Sequence, residues 1–268
     1  MNVLSLFDGM SCGQMALNKA DVKYDKYYAS EIDKYAIQVA QKNYPDTIEL
    51  GDVTGVNGKD LPKIDLLIGG SPCQDLSGLK HGAGLKGNKS KLFFEFVRLL
   101  EETKPKYFLL ENVVPRKWEW KKQIDKITGF EGALINSDLF VEQNRPRYYW
   151  TNIFIESLPC RPRWNKKYFQ YRRTYFRENK NGVAPCLTAN MGTGGHNVPL
   201  KSANLKDKLT VNEVEALQTV PLNYTEGVSN AQRYKMLGNG WTIDVVAHIF
   251  KGLLKEPRVS REPFDWMG

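Results

Sequence analysis

The first half of the chain alternates short apolar runs with stretches whose apolar residues recur every three or four positions. That alternation predicts parallel strands covered by helices. Residues 3–7, 27–30, 48–53, 64–68 and 107–110 read as strands. Between them, a turn over 8–13 opens a helix that continues through 14–19. A second helix presents Ile32, Tyr35, Ala36, Val39 and Ala40 on one face, and a third, over 92–101, turns Leu92, Phe93, Phe96, Leu99 and Leu100 inward. A helix over 118–127 follows, then strands near 134–140 and 147–154. The fold expected is α/β, a Rossmann-like, doubly wound and mostly parallel sheet.

The pattern changes after Pro159. Residues 161–200 are basic, aromatic and rich in turn-forming glycine. Thr210 and Glu213 have capping-box spacing for a helix reaching Leu217. A last helix over 242–254 is expected to return to the first lobe. These changes divide the chain at 1–158, 159–237 and 238–268. No internal repeat is evident.

Of 268 residues, 41% are hydrophobic and 25% charged, enough for one large core and a smaller second lobe. No apolar run approaches the roughly 20 residues that span a bilayer, so no membrane partner is expected. The first seven residues lack a signal peptide's basic region and cleavage site. Four scattered cysteines (Cys12, Cys73, Cys160, Cys186) form no zinc or disulfide pattern, which fits a reducing, cytoplasmic setting and no metal. The net charge of +8 favours an anionic partner. Arg161, Arg163, Lys166, Lys167, Arg172, Arg173, Arg177 and Lys180 crowd one segment, interleaved with Trp164, Tyr168, Phe169, Tyr171, Tyr175 and Phe176. Such a segment either binds nucleic acid or is a solvated face whose aromatics anchor it to a core.

Gly69-Gly70-Ser71-Pro72-Cys73-Gln74 places a thiol in a stiff turn after an apolar strand, where open α/β sheets bind ligands. A lone cysteine is more often a buried small hydrophobe, but a polar loop follows this one. The turn from Phe7 to Gly13 lets a ligand approach the backbone at a helix start. It is not the dinucleotide pattern. Glu31 after the second strand and Asp52 after the third suit a ribose and an adenine amino group, although each is also a common helix cap. Glu111 ends the strand beside that of Cys73. Arg145 and Arg147, two apart on a strand, face one way and can converge on an anion or a carbonyl.

These motifs resemble, in order and over residues 2 to about 254, the DNA cytosine-5 methyltransferases. They are the turn 7–13, Glu31, Gly51-Asp52-Val53, Ser71-Pro72-Cys73-Gln74, Glu111-Asn112-Val113, Gln143 to Arg147, and Gly238-Asn239-Gly240. Ser71 stands where bacterial members usually have proline, and Trp241-Thr242 follows the last motif. Both features, with 91–96, are nearer the vertebrate de novo enzymes. The short region 160–200 fits a compact bacterial or phage member.

The resemblance implies a class I methyltransferase fold with a small target-recognition lobe. In it, 1–158 is catalytic and cofactor-binding, 159–237 recognises the target, and 238–268 returns to the first part. S-adenosylmethionine is the implied donor, held by Phe7, Asp8, Gly9, Ser11, Cys12, Gly13, Glu31, Ile32, Asp52, Val53, Gly70, Pro72, Leu92, Asn239 and Trp241. Cys73 is the implied nucleophile, adding to carbon 6 of a flipped-out cytosine. Glu111 holds N3 and the amino group, Arg145 binds O2, and Arg147 positions Cys73 or its loop. Ser77, Lys80, Lys86, Lys89, Arg172, Arg173, Asn190, Thr193, His196 and Asn197 are expected at double-stranded DNA. Two alternatives stay open, a tRNA cytosine-5 methyltransferase and a catalytically silent DNA-binding relative. A cognate restriction nuclease, the recognition sequence and the oligomeric state are equally open.

Overall fold

A computed structural model describes residues 1–72, 91–172, 175–193 and 198–259. Seven strands form one sheet in the order β3-β2-β1-β4-β5-β7-β6. They are β1 (Asn2–Leu6), β2 (Lys26–Ser30), β3 (Ile48–Glu49), β4 (Leu66–Gly69), β5 (Tyr107–Val113), β6 (Ala133–Asn136) and β7 (Pro146–Thr151). Pairing is parallel from β3 through β5, and β7 is antiparallel to both β5 and β6. The strand order reverses between β1 and β4, so their carboxyl ends open the crevice that a ligand needs.

The helices α1 (Cys12–Lys19), α2 (Lys34–Asn43), α3 (Lys91–Thr103) and α4 (Trp118–Thr128) flank the sheet. Val3 and Ile68 join one buried cluster while Leu4 and Leu67 join the other, as strand alternation requires. Phe93, Phe96, Leu99 and Leu100 of α3 are buried as their spacing predicts, with Leu92 half-buried. The final helix, α7 (Ile243–Phe250), packs against α1 and so returns to the first lobe. No helix among the described residues is long and apolar enough to cross a membrane.

Four sequence expectations need correcting. The strand expected over 48–53 stops at Glu49, because Gly51 takes a left-handed φ of 74° and Asp52 caps a short turn, Val53–Gly55. Ile32 does not share the buried face of α2. It precedes the cap Asp33 and is 74% exposed. The strand expected over 134–140 ends at Asn136, whose side chain accepts the Asp138 amide and turns the chain. Helix α6 (Asn230–Asn239) was not expected; its polar sequence carries few apolar residues to mark a face.

Strands β8 (Tyr168–Arg172), β9 (Tyr175–Asn179) and β10 (Val198–Leu200) make a separate sheet in the order β10-β8-β9. Helix α5 (Val211–Leu217) has both bonds of the Thr210–Glu213 capping box. Tyr168, Ala184, Leu187, Leu209 and Val214 share a buried cluster with Val3 and Met10, so the later part of the chain rests on the first core.

Candidate active site

A cavity of about 710 Å³ opens at the carboxyl ends of β1, β2, β4 and β5. The residues expected to hold a cofactor line it, from Phe7, Asp8, Gly9, Cys12 and Gly13 through Glu31, Ile32, Asp52, Val53, Gly70, Pro72 and Leu92 to Asn239 and Trp241. Ser11 is the exception. It is fully buried, and its hydroxyl donates to Asp8 Oδ2 and accepts from Gln14.

The turn after β1 is held in shape by Asp8. Its Oδ1 accepts the hydroxyls of Ser5 at 2.6 Å and Tyr27 at 2.7 Å. Burial pushes this carboxyl up to about 6, against the opposing pull of those hydrogen bonds. Phe7, Gly9 and Ser11 all adopt positive φ, and at Gly9 the space where a Cβ would stand is open. Cys12, buried at the start of α1, has its thiol pushed up to about 12 by desolvation and stays protonated.

Glu31 bridges two walls. Its Oε2 accepts the Gly9 amide at 2.8 Å, and its Oε1 accepts the amides of Ile32 and Asp33. Asp52 is exposed and held below the usual carboxylate range by the Thr54 amide and hydroxyl. Asp33 Oδ2 meets Lys235 Nζ of α6 at 2.6 Å. Both line the cavity, and neither was singled out from the sequence, where lone charges at helix ends carry no signal.

The inner end of the cavity gathers charge. Glu111 Oε1 pairs with Arg147 Nε at 3.0 Å, and its Oε2 accepts the Trp241 indole N–H at 3.2 Å. Arg145 also lines the cavity. Its guanidinium donates to the carbonyls of Leu187, Gly238 and Gly240, so it ties the segment at Leu187 to the end of α6. The side chain that reaches Glu111 is Arg147. Cys186 also approaches both arginines, which its distance in sequence concealed.

Among the described residues expected at DNA, Arg172, Asn190 and Thr193 are not part of the lining of this cavity. Arg172 is exposed at the end of β8, and Asn190 and Thr193 are exposed on the short turn before β10. Cys73, Ser77, Lys80, Lys86, Lys89, Arg173, His196 and Asn197 fall outside the described residues. In the basic segment, Trp164 and Tyr168 are anchors that bond Asp138 and Glu142, whereas Tyr175 and Phe176 are exposed on β9. Arg161, Arg163, Lys166, Lys167 and Lys180 line a second hollow, of about 520 Å³.

Residues 1–150 and 150–255 match the model of the C-5 cytosine-specific DNA methylase family. The chain is 28% identical over 312 residues to the type II methyltransferase M.Bsp6I of Bacillus sp. (strain RFL6), covering 95% of this chain and 99% of the relative. It is 42% identical over 115 residues to the orphan methyltransferase M.SPRI of Bacillus phage SPR, which covers 42% of this chain and 26% of that one. In fold it matches the Entamoeba histolytica methyltransferase EhMeth with a TM-score of 0.71 at 18% identity, over 96% of this chain and 99% of the other.

Proposed function

We propose, from the premise that this chain belongs to the C-5 cytosine-specific DNA methylase family and is a DNA cytosine-5 methyltransferase, that it uses S-adenosylmethionine, Cys73, Glu111 and Arg147. The observation that carries this reading is the buried Glu111–Arg147 pair on the cavity that Phe7, Gly9, Glu31 and Pro72 also line. About 710 Å³ lies within the range of pockets for drug-sized ligands. The open side of Gly9 and the carboxylate of Glu31 suit a nucleoside with ribose hydroxyls. Asp52 and Ile32, both exposed at the rim, suit its adenine. When bound, the donor supplies an electrophilic sulfonium methyl group for carbon 5.

In sequence Cys73 directly follows Pro72. Its thiolate adds to carbon 6 of the extruded cytosine and gives carbon 5 the electron density it otherwise lacks. Glu111 holds N3 and the amino group, so charge developing in the ring is offset by proton sharing. Arg147 donates to O2 while it orients Glu111. Arg145 acts one step back, fixing the strand that carries Arg147. Once carbon 5 is methylated, loss of its proton expels the Cys73 thiolate and restores the ring.

The test is transfer of a labelled methyl group from S-adenosylmethionine to duplex DNA and, separately, to tRNA, with the natural chain and Cys73→Ala. Labelled DNA with the natural chain alone supports the proposal. Transfer that survives the substitution refutes the nucleophile, label on tRNA alone refutes the substrate, and no transfer to either favours a silent DNA-binding relative.

A further inference from the structure

Arg145 and Arg147 bring two positive charges into a site that water hardly reaches, and Glu111 supplies one negative charge. Arg145 is 3% exposed and, among the described residues, its guanidinium donates to the neutral carbonyls of Leu187, Gly238 and Gly240. A buried charge without a counter-charge is costly. The sulfur of Cys186 lies 3.6 Å from Arg145 Nη1 and 3.8 Å from Arg147 Nη2. Among the described residues, the acceptor within reach of its S–H is the Leu187 carbonyl at 3.6 Å, an oxygen that also accepts from Arg145 at 3.0 Å. A protonated thiol is only a weak donor to it, whereas a thiolate accepts charge-assisted bonds from both guanidiniums.

We propose that Cys186 is a thiolate that serves as counter-charge to the Arg145–Arg147 pair and as a positioning residue for Arg147. The inference rests on the role given above to Arg147. With Nη2 held by sulfur and Nη1 by the Pro146 carbonyl, Nε is left pointing at Glu111. Burial raises the Cys186 thiol, but the two guanidiniums outweigh it and hold the group below the ordinary thiol range. Cys12, where desolvation outweighs the weaker pull of the Trp241 backbone and of Arg145, moves the other way. The groups facing the sulfur are Arg145 and Arg147, with Glu111 behind Arg147.

Two measurements test this. The first is iodoacetamide alkylation of the natural chain from pH 5 to 10, in which the sulfur's electron pair forms the S–C bond as iodide leaves. Modification of the Cys186 peptide is followed by mass spectrometry against exposed Cys160 as reference. The Cys186 midpoint is expected at least one pH unit below that of Cys160, and a midpoint equal or higher overturns the thiolate. The second compares Cys186→Ala with Cys186→Asp. Loss of the counter-charge is expected to cut kcat at least tenfold with the donor KM within twofold, and aspartate is expected to recover part of the loss. A merely structural role predicts the reverse order, because alanine is easier to bury than aspartate, and that order overturns the positioning. Undiminished turnover in Arg147→Lys would instead refute the role of Arg147 in the reaction, whereas the alkylation midpoint is read on the natural chain without turnover, so the two failures are distinguishable.

Discussion

Arg147 and Glu111 are diagonal neighbours across the antiparallel pair β5–β7. Glu111 is in register with Tyr149, two positions beyond Arg147, so all three share one face of the sheet. Their 3.0 Å ion pair thus follows from strand alternation and register. Glu111→Gln keeps the shape and removes the charge. The expected result is a fall in kcat of about 100- to 10,000-fold, with the donor KM nearly unchanged, read from steady-state methyl transfer. A proportionate rise in donor KM would place Glu111 in the donor site instead.

Gly238 is where α6 touches the turn before β10. A Cβ built there would stand 2.2 Å from the Thr188 carbonyl carbon and 2.4 Å from its oxygen, and neither is the end of a flexible side chain. Gly238→Ala must push the helix from the loop that carries Cys186 and Leu187. Overpacking of this kind costs about 1–3 kcal/mol, so the urea midpoint should fall measurably. An unchanged midpoint would mean that the two segments separate freely.

The sheet was legible because its strands are apolar runs bounded by glycine and acidic residues, and the helices α3 and α7 because their apolar spacing is regular. The cavity lining was legible for a related reason, since it sits at strand ends where motifs are contiguous in sequence. What the sequence could not convey was direction. Arg145 and Arg147 are equivalent by spacing, yet one meets three carbonyls and the other a carboxylate, a difference set by where residues 187, 238 and 240 pass in space. Cys186 and Lys235 acquire meaning only through partners 39 and 202 positions away.

Asp8 gives the chain a pH signature. Its folded-state value of about 6 lies above the ordinary 3.8, so the folded form binds the proton more tightly than the unfolded chain. The stabilisation is fully present below about pH 4 and is lost as pH rises through 6, to the extent of about 3 kcal/mol. Asp8→Asn should remove that slope from the unfolding free energy between pH 4 and 7, measured by denaturant titration. An identical slope in the variant would locate the titrating group elsewhere.

Asp33 and Lys235 join the start of α2 to α6 beside the cavity. Both side chains are partly in water, 27% and 48% exposed, so the pair is worth at most about 1 kcal/mol. Lys235→Ala should therefore raise the donor dissociation constant by no more than about fivefold, with a smaller effect at high salt. A hundredfold loss would mean that Lys235 contacts the donor directly.

The central claim is that the Cys73 sulfur bonds to the target base. Duplex DNA carrying 5-fluorocytosine, which has no removable proton at carbon 5, should trap that bond when incubated with the chain and S-adenosylmethionine. A denaturation-resistant complex whose crosslinked peptide contains Cys73 is expected, and none with Cys73→Ala. A complex that persists in that variant, or a crosslink mapped to Cys186, would contradict the claim.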